Sequence, residues 1–179
     1  MNAKEKLHEL GACGEAVDWV GDMSIEEAWE ACPRGNWMLW YYGTAYPEKT
    51  RELTLAAGHC ANTVRHLMTV ESQAAVDAAI SFGEGKISRE ELKKAGVAAN
   101  HANHAAACTV VTYTAHAAAA CAAVTYTPYA GAHAVSVAAH TAHAAAYDAG
   151  TSNAARNAAK QKNCLETAEI CRKYLKLGN

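Results

Sequence analysis

Residues 95–155 read AGVAANHANHAAACTVVTYTAHAAAACAAVTYTPYAGAHAVSVAAHTAHAAAYDAGTSNAA. These sixty-one residues hold twenty-six alanines, six histidines and one formal charge, Asp148, with no leucine, isoleucine or phenylalanine. Alanine surrenders no side-chain entropy on ordering, so the stretch predicts helix. A helix facing water normally carries charges on that side; one with almost none is expected to meet other protein around most of its circumference. Leu92, Gly96, Ala99, Asn103, Ala106, Val110, Tyr113, Ala117, Ala120 and Val124 recur at three- and four-residue intervals, the period of a helix-packing stripe of mostly small side chains. A helix over 89–126 would run about 57 Å at the usual rise. Pro128 lacks an amide donor, which places a reversal there with Thr127 as cap and a second helix over 129–148; the alternative is one kinked helix. The repeated VTYT at 111–114 and 124–127 is too sparse for a solenoid.

Outward from this tract, the large side chains collect at the other end of the chain. Trp19, Trp29, Trp37 and Trp40 all precede residue 45, with Met38, Leu39, Tyr41 and Tyr42 among them. Rings of this size anchor cores. Ser24 followed by Glu27, and Ser88 followed by Glu91, have the spacing of reciprocal capping boxes. Breakers stand at 32–35, 46–47, 83–85 and 127–128. The remaining helices are then expected over 3–20, 25–32, 36–43, 48–68, 71–82 and 152–176, with no strand alternation anywhere. The expected fold is all-α: one domain over 1–179, in which an alanine-rich bundle of long antiparallel helices (87–179) packs on a tryptophan-rich helical part (1–86).

A net charge of −2 and a pI near 6.5 give no basic footprint, so nucleic-acid binding is not expected. Seven cysteines without a CxxC pair suit a reducing compartment. The opening residues are charged and lack the apolar core of a signal peptide, and alanine interspersed with His, Thr and Asn is too weakly apolar to span a bilayer. The expectation is a cytoplasmic protein without membrane contact.

Three constellations could carry chemistry. His101, His104 and Cys108 fall within about 60° on one helical face, and His133, Ser136, His140, His143 and Tyr147 within about 80° on the next. An antiparallel reversal near Pro128 brings His116 level with His140. Imidazole and thiolate suit zinc, nickel or copper, but no HExxH or paired-cysteine spacing accompanies them, so polar side chains lining a helix interface are the favoured reading and no metal site is expected. The same groups could line a ligand pocket, for which the candidates are His116, His133, His140, His143 and Tyr147. His59 and Cys60 point to different sides of a helix and form no thiol–imidazole pair, and Cys164 and Cys171 share a face in the manner of ordinary burial. Glu26, Glu27 and Glu30 read as a solvated face. With no nucleophile elbow, phosphate loop or dinucleotide fingerprint, neither an enzyme nor a cofactor is expected.

Leu10-Gly11-Ala12-Cys13, Ala16-Val17-Asp18-Trp19, Ala28-Trp29-Glu30-Ala31-Cys32 and Arg34-Gly35-Asn36-Trp37-Met38-Leu39-Trp40 together resemble the N-terminal signature of the immunity-five-like group of immunity proteins from bacteria and phages. Leu55-Ala56-Ala57 with Cys60-Ala61, the run Ile87-Ser88-Arg89-Glu90-Glu91-Leu92, and the closing Ile170-Cys171-Arg172-Lys173-Tyr174-Leu175 extend the likeness along nearly the whole chain. Asn36 and His59 depart from it, each standing where that pattern leads one to expect an acidic residue. The resemblance implies direct binding of a toxin or defence effector. The leading expectation is therefore a non-catalytic protein that sequesters or inhibits a protein partner, of the immunity or phage anti-defence type. Two alternatives stand beside it: a sponge for a small molecule or signalling nucleotide, and a self-associating helical protein whose uncharged tract is covered by another copy.

Overall fold

A computed structural model describes residues 2–105, 138, 142 and 152–178, with side chains left aside at 100–105. Among the described residues the protein is all-α, without strands. Eight α-helices follow in order: α1 (Ala3–Glu9), α2 (Gly14–Val20), α3 (Ile25–Ala31), α4 (Gly35–Ala45), α5 (Thr50–Asn62), α6 (Val70–Gly83), α7 (Arg89–Ala105) and α8 (Asn153–Tyr174), with a 3-10 turn at Arg65–Leu67. Of the long helices expected over 89–126 and 129–148, α7 covers the first part, and the rest lies outside the described residues apart from Ala138 and Ala142.

Local chemistry sets most of the helix starts. The Ser24 hydroxyl accepts from the Glu27 amide at 3.1 Å while the Glu27 carboxylate accepts from the Ser24 amide at 2.8 Å. Ser88 and Glu91 repeat the exchange at 3.2 and 2.8 Å, and Asn2 with Glu5 adds a third box at 2.9 and 3.1 Å. Ser152 caps α8 through the Ala155 amide.

Two helix expectations need correction. The helix expected over 3–20 is two helices, because Gly11 takes a left-handed φ of 77°. There the Ala12 amide donates to the Leu7 carbonyl at 2.9 Å and the Gly11 amide to His8 at 3.1 Å, the paired bonds of a Schellman stop. The helix expected over 48–68 ends at Asn62 and gives way to the 3-10 turn. Its end is made by tertiary contact: the Thr63 hydroxyl donates to the Cys60 carbonyl at 2.8 Å, and the buried Asn163 amide of α8 donates to that hydroxyl at 2.8 Å.

The main core lies where α5 and α6 pack against each other, α7 covers α6, and α8 lies across α4 and α5. Small residues make the close approaches. Ala56, Ala57, Cys60 and Ala61 of α5 and Ala75 and Ala79 of α6 are all fully buried. Gly35 opens α4 directly against α8, where a Cβ would sit 2.7 Å from the Thr167 backbone carbon. A second, smaller core joins α1, α2 and α3 through Ala3, Leu7, Val17, Val20 and Ala28, and Trp19 and Tyr41 pack against both.

Candidate functional site

Between α1, α2, α3 and the first half of α4 lies an apolar cavity of about 370 Å³. The lining mixes small side chains, Ala3 of α1, Gly11 and Ala12 of the link, Ala16 of α2 and Ala28 of α3, with the rings of Trp19, Trp29, Trp37, Trp40 and Tyr41.

The rings hold one another in place. Trp19 of α2 meets Trp37 of α4 with centroids 5.9 Å apart, and Trp29 of α3 meets Tyr41 at 6.3 Å, both tilted. Arg34, in the link before α4, lays its guanidinium 4.3 Å over the Trp37 ring and pairs with Glu15 of α2 at 2.7 Å. That bridge ties the α2 and α4 walls together. From behind, Arg172 of α8 donates through Nη1 to the carbonyls of Trp29, Glu30 and Cys32, and its other terminal nitrogen pairs with Glu169 at 2.7 Å. The end of α3, which carries Trp29, is thereby anchored to the last helix.

Among the described residues no lysine, arginine, histidine or carboxylate belongs to the lining. The polar groups are the Asn36 amide, the Tyr41 hydroxyl, the thiols of Cys13 and Cys32, and the indole N–H groups. Among the described residues the Asn36 amide and the four indole N–H groups make no hydrogen bond, and each retains accessible surface. Burial pushes the Tyr41 phenol up to about 12, with Tyr46 and Glu26 acting in the same direction. Burial likewise raises the Cys32 thiol to about 11, and as a thiol it donates to the Arg34 carbonyl at 3.5 Å. Both groups are neutral near pH 7, so neither supplies a nucleophile or base.

The histidine candidates His116, His133, His140, His143 and Tyr147 lie outside the described residues, as do Cys108 and Ser136. His101 and His104 are on α7. Among the described residues no group of three His, Cys, Asp or Glu is placed to hold a metal ion, and no helix is long and apolar enough to cross a membrane. His59 and Cys60 diverge: the imidazole stacks on Tyr174 at 4.2 Å, and the thiol is sealed in the core beside Thr167 and Cys171. Glu26, Glu27 and Glu30 are exposed, with Glu27 occupied as a cap.

The tryptophans serve as core anchors, as their size leads one to expect, Trp29 buried in the main core with Trp19 and Trp37 packed against it. Trp19, Trp29, Trp37 and Trp40 also line the cavity, which the sequence pointed to only through the clustering of alanine and tryptophan between Ala12 and Trp40. Compared with protein-family models, with curated proteins and with solved structures, the chain matches none.

Proposed function

We propose that this is a non-catalytic binding protein that acts by sequestering a small organic molecule in the aromatic cavity between α1 and α4. The cavity itself carries this reading. Its volume lies in the range of small-molecule sites, its lining is apolar and aromatic, and the Asn36 amide and the indole N–H groups, which make no hydrogen bond among the described residues, are able to orient a guest. The lack of any acid, base or charged nucleophile among the described lining residues favours capture over turnover. A phosphate-bearing guest would meet no cation there, which argues against a nucleotide at this position.

A second reading keeps the same site and changes the occupant. The residues behind the immunity-five-like resemblance are those of the cavity wall, and neutralisation by direct binding would use the cavity as a socket for an anchoring side chain of a protein target.

The test is mass spectrometry of compounds released on denaturing protein purified from its native cells, compared with an Ala16→Leu variant whose added side chain fills the cavity. A compound recovered in near-equimolar amount from the native chain and lost from a folded Ala16→Leu variant supports small-molecule sequestration. Recovery of no compound, with a specific protein retained instead, moves the assignment to the second reading. Recovery of neither overturns both.

A further inference from the structure

The charges around the cavity bear on which guest it accepts. Residues 2–34 carry eight carboxylates against Lys4, Lys6 and Arg34. Glu9 and Glu15 are paired, with Lys6 and Arg34 respectively, whereas Asp18, Asp22, Glu26 and Glu30 make no ion pair among the described residues. The helices that form the cavity therefore sit in a negative field, and a low-dielectric space inside such a shell favours a cation and repels an anion.

The lining narrows the choice further. Indole faces attract positive charge, most strongly when water is excluded. Yet among the described residues no carboxylate reaches the lining, so a compact ammonium, with its charge on one strongly hydrated nitrogen, would lose its water and gain no counter-ion. A cation whose charge is spread over a ring or shielded by alkyl groups sheds water at far lower cost and still gains the field and the aromatic faces.

Resting on the cavity reading above, we propose that the ligand class is a weakly hydrated organic monocation, an aromatic or quaternary ammonium compound, seated against Trp19, Trp29, Trp37 and Trp40. Arg34 lies 4.3 Å over the Trp37 ring but is not among the lining residues, and its charge is matched by Glu15 at 2.7 Å. Glu26, exposed on α3, is the unpaired carboxylate whose charge acts on the Tyr41 phenol of the lining.

Three probes of nearly one shape separate charge from size: benzyltrimethylammonium, its neutral carbon counterpart neopentylbenzene, and phenylmethanesulfonate. Each is titrated into the full chain at low salt, followed by tryptophan fluorescence and by the ring-current shift of the methyl or methylene protons. The cation is expected to bind about tenfold more tightly than the neutral probe, with the sulfonate weakest. Glu26→Gln, exposed and outside the lining, is expected to weaken the cation about twofold at low salt and to leave neopentylbenzene unchanged. Neopentylbenzene binding as well as the cation, or the sulfonate binding best, overturns the charge assignment and leaves the cavity reading standing. Binding of none of the three to folded protein overturns both.

Discussion

Arg172 Nη1 lies 3.0 Å from the carbonyl oxygen of Cys32, across 140 residues of chain. The same nitrogen also faces the Trp29 and Glu30 carbonyls. A helix leaves its last carbonyls without internal partners, and the partial negative charge gathered there favours a cation. Pro33 follows directly and has no amide with which to continue the helix. One guanidinium from α8 therefore does the work of a C-terminal cap for α3.

Replacing Arg172 by Met keeps the stem and removes the donors. The variant should lose about 2 kcal/mol, the scale of hydrogen bonds to a charged group, measured as a lower urea midpoint at unchanged slope. Arg172→Lys should recover only part of this, because a single ammonium cannot serve three carbonyls and Glu169 at once.

Gly35→Ala should destabilise the fold by about 2 kcal/mol through overpacking, since the added Cβ meets Thr167 backbone as well as its side chain. Thr167→Ser in the same chain should restore little, because the Thr167 carbonyl carbon and hydroxyl oxygen, both 2.7 Å from the added Cβ, remain in serine. Full recovery in chemical denaturation would show that α4 and α8 are less closely seated than described.

His59 gives a defined acid sensitivity. Burial first, and Lys173 second, hold its pKa below the usual 6.5, with Glu84 opposing. The unfolded chain therefore takes up a proton that the folded chain resists. The neutral stacked imidazole contributes its full stability above pH 6.5, and that contribution is lost as pH falls through the lower folded value. Glu27, Glu91 and Glu169 are held below the ordinary 4.5 by their hydrogen bonds and act only at greater acidity. Urea midpoints measured from pH 7.5 to 5 should decline, and His59→Gln should flatten that decline while leaving the losses below pH 4.5 in place.

Thiol reactivity should divide the described cysteines. Cys13 is exposed at the cavity, whereas Cys32, Cys60 and Cys171 are buried. Peptide-resolved alkylation at pH 8 should label Cys13 rapidly and the buried three only at the rate of unfolding. Benzyltrimethylammonium at saturation should slow labelling of Cys13.

What could be read in the sequence was what depends on neighbours along the chain. Ser24 with Glu27 and Ser88 with Glu91 declare their helix starts because both halves of each box lie within one turn. Gly11 was legible in principle, but a single glycine within an apolar periodicity is also compatible with a continuous helix. The stop after Asn62 was not legible: Thr63 ends that helix with the help of Asn163, a hundred residues away. The cavity belongs to the same class. Ala16 and Ala28 are unremarkable helix formers until the fold gathers them with Trp29, Trp37 and Trp40 from other parts of the chain around one space.

The Arg172 contact also orders events in time. While a growing chain is shorter than 172 residues, the carbonyls closing α3 lack their guanidinium, and Trp29 stands on an unsecured helix end. Trp29 thus gains its anchor only once α8 has been made, 140 residues after Cys32, and a fragment lacking α8 would leave the end of α3 open to proteases.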